Sequence, residues 1–403
     1  MSEQKLSPFR RTVVGVQFLF VAFGSTILVP LLVGFDPAIA LLAAGLGTLV
    51  FHLVTGGKVP IFLGSSFAFI APIIKATELY GMPGCFCGLV AVGFVYMLMS
   101  LLVKLFGIGF IKKLFPPVVI GPVIILIGLS LAGTGVNMAS ENWVLALVSL
   151  AVAIAVSIWG NGLLKIIPIF CGAIVGYIVA WIFYDIDFTK VRDAAWIALP
   201  HFQKMSFSWQ AILFMIPVAI APIIEHIGDM YTIGSVADKD FVQNPGLHRT
   251  LLGDGIACSL SALLGGPPVT TYSEVTGAVS LTKVTDPSVL RISAITAIVI
   301  SVIGKVGAAI QTIPGAVLGG IMLLLFGTIA SVGIRNMIES KVDISSTRNL
   351  IIVSLVLTIG VGGAIFTVGG FSLAGIGLAS LVGVILNLIL PKDKEEEKKE
   401  AKA

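Results

Sequence analysis

Charge is scarce in this chain. Asp, Glu, Lys and Arg together make up 11% of its 403 residues, where a soluble domain carries about a quarter. Cysteine and histidine are rarer, at four each. Cys85, Cys87, Cys171 and Cys258 lie in or beside apolar runs, and the Cys85-x-Cys87 pair has no further ligands at metal spacing. They read as small buried residues rather than a metal set or a disulfide framework. Enzyme signatures are missing as well: there is no HExxH, no GxSxG and no P-loop. The expectation is therefore no enzyme, no metal and no cofactor. The net charge of +4 says little by its size, and no nucleic-acid partner is expected.

What the chain has instead is apolar surface. Hydrophobic residues make up 57% of it and the mean hydropathy is +1.06, more than a soluble core can hide from water. The apolar runs repeat from end to end at about 20 residues each, the length of a helix crossing a bilayer. About fourteen such segments start near Val13, Ala38, Phe67, Gly84, Pro117, Trp143, Ile166, Trp209, Thr250, Glu274, Val289, Pro314, Asn349 and Ser372. The polar, basic start MSEQKLSPFRR has no small-residue cleavage site, so the first segment reads as an uncleaved helix rather than a signal peptide.

Orientation follows from the cations. With both termini cytoplasmic, 20 of the 25 Lys and Arg fall on the inner side, leaving only Lys75, Lys190, Arg192, Lys204 and Lys305 outside. The expected product is a multi-pass protein of the cell's inner (plasma) membrane with an even number of spans. The tail PKDKEEEKKEAKA reads as a solvated end.

The two halves resemble each other. Pro116-Pro-Val-Val-Ile-Gly121 recurs as Pro314-Gly-Ala-Val-Leu-Gly319, 198 residues on. Phe62–Phe69 and Val269–Glu274 are both short, Ser/Thr-rich and aromatic, and both follow Pro and Gly. Seven spans per repeat is an odd number, so the second copy must be inverted. Matched interrupted segments in inverted repeats point to a transporter's binding site.

Four acids fall inside apolar stretches: Glu225, Asp229, Asp254 and Glu274. A carboxylate at mid-membrane is costly and is a functional hypothesis by default. Glu225 and Asp229 are four apart and share a helix face, with His226 beside them. Two neighbouring carboxylates in a low dielectric cannot both ionise cheaply, so such a pair suits the uptake and release of a proton. His226 is open between a proton relay and a satisfied core histidine, and Asp254 is without an assigned role. Ahead of Glu274, the Pro267-Pro268 pair cannot continue a helix and Val269-Thr-Thr-Tyr prefers extended backbone. Extended backbone inside a membrane directs its amides at protein or at a polar cavity. Backbone donors beside a carboxylate, with Tyr272 or Phe67 to stack on, would suit a planar heterocycle.

Longer motifs carry a family resemblance. GSSFAF at Gly64–Phe69, EHIGD at Glu225–Asp229, NPGLHR at Asn244–Arg249, EVTGAVSLTK at Glu274–Lys283 and ESKVD at Glu339–Asp343 resemble the nucleobase–ascorbate transporter family, and most closely its bacterial uracil permease branch. The resemblance implies an all-α polytopic membrane protein of fourteen spans in two inverted repeats of seven, with short antiparallel strands in spans three and ten. It implies a core domain at 1–109 and 203–311, a gate domain at 110–202 and 312–391, and a cytoplasmic tail at 392–403. It further implies import of a nucleobase, most closely uracil, with a proton as the coupling ion, and a homodimer in the lipid bilayer. Glu225 and Glu274 would accept from the base's ring N–H groups. Backbone amides at Phe67 and Ser273 would reach its carbonyls, Tyr272 would lie beside it, and Glu225, His226 and Asp229 would serve the proton. Gln17 and Asp254 are possible supports.

Three departures bear on the substrate. Val275 stands where the family signature usually has Asn, Asp229 where uracil permeases often have His, and Phe18 where many members have His, though Gln17 before it is kept. A xanthine or urate permease is the alternative in the same family. An anion exchanger on the same fold is a distant one, because its site should present positive charge or bare helix N-termini to the anion.

Overall fold

The computed structural model describes residues 7–162, 164–368 and 371–391; the expected cytoplasmic tail at 392–403 lies outside them. The chain begins with α1 (Pro8–Val33), α2 (Pro37–Val54), strand β1 (Leu63–Ser65) and α3 (Ile70–Phe106). It continues through α4 (Ile108–Leu114), α5 (Pro117–Ser140), α6 (Trp143–Trp159), α7 (Pro168–Phe183) and α8 (Thr189–Asp193). Next come α9 (Trp209–Met215), α10 (Ile220–Ala237), α11 (Leu247–Leu264), strand β2 (Val269–Thr271), α12 (Ser273–Thr282) and α13 (Pro287–Ser301). The last elements are α14 (Gly304–Ile310), α15 (Gly315–Glu339), α16 (Thr347–Val361), the strands β3 (Ile365–Val368) and β4 (Phe371–Ala374), and α17 (Gly375–Ile389).

Among the described residues, six helical stretches are long and apolar enough to cross a membrane, and five shorter apolar helices accompany them. The two segments expected near Phe67 and Gly84 are two helices within α3, separated at Gly81, whose φ of 72° and ψ of 160° are glycine conformations that interrupt the helix. The second folds back on the first, bringing Cys85 Sγ to 3.9 Å from Ile73 O. Proline sets several starts: Pro8, Pro37, Pro117, Pro168 and Pro287 all occupy the first helical turn, where a missing N–H costs nothing.

The helices pack as two groups. In one, α11 packs on α2 and α3, α13 on α1 and α2, and α9 on α3. In the other, α5 packs on α15 and α16, α6 on α7 and α15, and α16 on α17. The repeated Pro–Gly segments open α5 and α15, and these two helices lie against each other antiparallel. Gly121 meets Gly333 and Met337, Gly128 meets Phe326 and Ala330, and Gly135 meets Met322. Small residues at the seam let the backbones approach, the usual solution for helices packing in lipid.

Contacts at the helix ends sort the loops onto two faces. On one, Arg11 pairs with Asp286 at 3.3 Å and Lys58 donates to Asn244 at 2.6 Å. On the other, Lys305 donates to the carbonyls of Val191 and Arg192, both at 2.9 Å, and Ala198 N donates to Val302 O. The latter contacts join the two connections that run between the helix groups, residues 184–208 and 302–314.

The expected strand pair is present. β1 and β2 pair antiparallel in the register Leu63↔Thr271, Gly64↔Thr270 and Ser65↔Val269. A second antiparallel pair, β3 with β4, was not expected. The segment placed near Ser372 begins as this hairpin and turns helical at Gly375. Its sequence, Ile-Phe-Thr-Val-Gly-Gly-Phe-Ser-Leu-Ala, sets β-branched and aromatic residues around a Gly-Gly pair, a hairpin pattern.

Candidate functional site

The β1–β2 pair lies at the centre of the first helix group, and the chain leaves each strand into a helix. After β1, Phe67–Phe69 forms a single 3-10 turn that runs into α3; after β2, Ser273 opens α12. The amides of Phe67 and Ser273 thus stand in first turns, where no intrahelical acceptor exists and the positive end of the helix dipole falls. The strands themselves are satisfied by protein. Leu63 N donates to Thr48 Oγ1 at 2.9 Å, Ser66 N to Pro268 O at 3.0 Å, and Thr271 N to Asp254 Oδ2 at 3.2 Å.

Against this centre α10 lays the face that carries Glu225, His226 and Asp229, packing on α12, β2 and α11. The four acids named from the sequence come together: Glu225 senses the charges of Asp229, Glu274 and Asp254. Glu225 and Glu274 are half-buried, whereas His226, Asp229 and Asp254 are buried. Glu274 opens α12, where a carboxylate is favoured by the dipole and held by its own backbone amide. Tyr272 is buried, and so is Phe67, whose ring meets Phe326 of α15 edge-on at 6.1 Å. That contact joins the two helix groups at the site. Gln17 lies on α1, which packs on β1 and α12; its Oε1 is buried without a hydrogen-bond partner. Phe18 is fully buried.

Asp254, left without a role by the sequence, takes one here. Its Oδ2 lies 2.8 Å from His226 Nδ1, with both side chains completely buried. His226 Nδ1 is also 3.2 Å from Thr271 Oγ1, and its Nε2 is 2.9 Å from Thr250 Oγ1. The Thr271 hydroxyl donates to Asp229 Oδ2 at 2.9 Å. A buried polar chain therefore runs from α11 through α10 and β2 back to α10. His226 is a partnered network residue, and Thr250 and Thr271 are members that the sequence did not single out. Their only advance signals were the four-residue spacing of Thr250 and Asp254 and the extended stretch holding Thr271. Tyr96 also went unnoticed; it is fully buried on α3 and senses Asp254, Glu225 and Asp229.

Among the described residues no group of His, Cys, Asp or Glu is arranged to hold a metal ion. The chemistry on offer is hydrogen bonding: two half-buried carboxylates as acceptors, first-turn amides as donors, and aromatic faces from Phe67 and Tyr272.

Residues 10–369 match the profile of a family described as the Permease family, that of xanthine and uracil permeases. The chain is 49% identical over 394 residues to a probable uracil permease of Pasteurella multocida, covering 96% of this chain and 94% of that protein. It is likewise 49% identical over 399 residues to a probable uracil permease of Haemophilus influenzae, covering 97% and 96%. In fold it is similar to murine solute carrier 26 member A9, an anion transporter solved in its inward-facing state, with a TM-score of 0.72 at 10% identity over 96% of this chain and 69% of that one.

Proposed function

The chain belongs to the nucleobase–ascorbate transporter family of permeases, and from that membership we propose that it is a proton-coupled symporter importing uracil. The observation that carries the reading is the juxtaposition of Glu225 and Glu274 with the first-turn amides of Phe67 and Ser273 around a strand pair. Uracil presents ring N–H donors and carbonyl acceptors in one plane. Glu225 and Glu274 accept from the N–H groups, the two amides donate to the carbonyls, and Phe67 and Tyr272 supply apolar faces. Close relatives named for uracil support this base over xanthine or urate.

The coupling proton is carried by the cluster of Glu225, His226 and Asp229. Four acids in mutual electrostatic range cannot all ionise cheaply in a low dielectric, so binding a base and binding a proton are linked at one place. The first helix group, with 1–109 and 203–311, is the moving core; the second, with 110–202 and 312–391, is the gate, and the pair works as a homodimer. Both termini are cytoplasmic, which puts the Arg11–Asp286 face inside. The site of this chain offers carboxylates rather than cations, which speaks against an anion as its substrate.

Uptake of radiolabelled uracil in cells tests the reading. Glu225→Gln and Glu274→Gln, each inserted at normal levels, are expected to lose at least 90% of initial-rate uptake, and unlabelled xanthine to compete poorly. Unchanged uptake in both variants, or stronger competition by xanthine than by uracil, would refute it.

A further inference from the structure

We infer that Asp254 is a positioning residue of the transport cycle: paired with His226, it stores the coupling proton and holds strand β2 in register while it does so. This rests on the proton-coupled reading above and adds to it the residue that keeps the proton.

The hydrogen inventory carries the inference. Thr250 spends its hydroxyl hydrogen on Leu247 O, 3.0 Å away in the previous turn of α11. Its oxygen then has only lone pairs for His226 Nε2 at 2.9 Å, so Nε2 carries a hydrogen and donates it. On the other side of the ring, His226 Nδ1 and Asp254 Oδ2 are 2.8 Å apart. Two lone pairs facing at that distance repel, so a second hydrogen lies between these atoms. Whether it is written on the imidazole or on the carboxylate, the pair shares that one hydrogen and is neutral as a unit. A unit of that charge is what a fully buried site tolerates, since stripping one partner leaves an uncompensated charge.

Two contacts connect this proton to the rest of the site. Thr271 Oγ1 stands 3.2 Å from His226 Nδ1 and donates its own hydrogen to Asp229 Oδ2 at 2.9 Å. If Thr271 passes that hydrogen to Asp229 and takes the Nδ1 hydrogen in exchange, one proton moves from the His226–Asp254 pair to Asp229, and nothing else changes. Asp229 lies one helical turn from Glu225. The second contact is structural: Thr271 N donates to the same Asp254 Oδ2. Loss of the proton leaves Oδ2 facing a bare Nδ1, which drives the pair apart. The strand that leads into Tyr272, Ser273 and Glu274 is hydrogen-bonded to the atom that must move. Proton occupancy at Asp254 is thereby read out at the base site. The other titratable groups around the pair are Glu225 and Asp229 on α10, Tyr96 on α3 and Cys258 on α11.

The test separates exchange from accumulation. Purified protein in liposomes is assayed for uracil counterflow, which needs no net proton movement, and for uracil accumulation driven by an imposed pH gradient. Asp254→Asn and the double variant His226→Asn/Asp254→Asn are compared with wild type; the double variant leaves no unpaired charge and guards against misfolding of the single one. In both, the Asn side chain at 254 still has a carbonyl oxygen to accept from Thr271 N and so hold β2 in register. Both are therefore expected to keep counterflow within about threefold of wild type and to lose gradient-driven accumulation at least tenfold. The pH profile of uracil binding should flatten with it. Accumulation at wild-type level in the folded double variant would overturn the inference while leaving the transport reading intact. Counterflow and accumulation falling together in the folded double variant would overturn it as well, by making the pair a purely structural support. A wild type that exchanges uracil but ignores the gradient would remove the proton-coupled reading, and this inference with it.

Discussion

Thr271 is the residue on which most of the buried network converges. Its amide reaches Asp254, its hydroxyl donates to Asp229, and its oxygen faces His226. Thr271→Val keeps the branched shape that suits β2 but removes the hydroxyl, and with it one hydrogen bond to Asp229 and one contact with His226. A hydrogen bond to a charged group is worth about 1.5–3 kcal/mol, and about 1.4 kcal/mol of it placed in the transport cycle is a tenfold change in rate. Initial-rate uracil uptake is expected to fall about tenfold in Thr271→Val and to be largely kept in Thr271→Ser, with both proteins retaining a sharp thermal transition. At this scale the sequence was only partly legible. Glu225 and Glu274 stand out because a carboxylate in an apolar run is costly, whereas His226 reads equally well as a satisfied core histidine until its partners are known. Asp254 was visible as an acid but mute as to role, since its partners come from α10 and β2, and helix packing brings them to it. Thr250 and Thr271 gave still less warning, because threonine in a membrane helix or strand commonly bonds its own backbone.

The helices that frame the site depend on close approach. A Cβ on Gly128 would come within 2.4 Å of Phe326 O and 2.7 Å of Ala330 N, both backbone atoms of α15 that cannot yield without parting the two helices. Gly128→Leu is expected to lower stability by about 1–3 kcal/mol through overpacking, read as a fall in melting temperature in detergent. Gly133→Ala on the same helix, where a Cβ would meet nothing within 4 Å, is the matched control and should melt as wild type does. The repeated Pro–Gly segments marked where α5 and α15 begin, but not that the two helices pack on each other, because that contact depends on how the two repeats dock. The sequence also marked β2 as extended, because Pro267-Pro268 and the run of β-branched residues leave no helix to form, while its antiparallel partner came from the family resemblance. The β3–β4 hairpin was just as plainly encoded by Gly369-Gly370 and its flanks, but a hydropathy window counts those same residues as the start of a span. Period, rather than mean hydropathy, would have separated them.

For the whole molecule, the distribution of cations and the contacts at the helix ends agree. Lys305 reaches the backbone at Val191 and Arg192 on one face, and Lys305 and Arg192 belong to the small set placed outside by charge. Arg11 and Lys58 belong to the other set and lie on the opposite face. The proposed orientation is checked by labelling single cysteines with a membrane-impermeant maleimide in intact cells. Cys85, Cys87 and Cys258 are buried, so only Cys171 needs replacement to lower the background. Lys204→Cys is expected to react from outside and Lys341→Cys only after permeabilisation; the reverse pattern would invert the topology. The binding strands also impose an order on how the protein is made. Leu63 pairs with Thr271, roughly two hundred residues downstream, a separation that places this contact among the slow, non-local steps of folding. By then the first half of the chain has long left the ribosome and entered the bilayer. The N-terminal half expressed alone therefore carries a strand edge with no mate, and biogenesis must shelter β1 until the second repeat arrives.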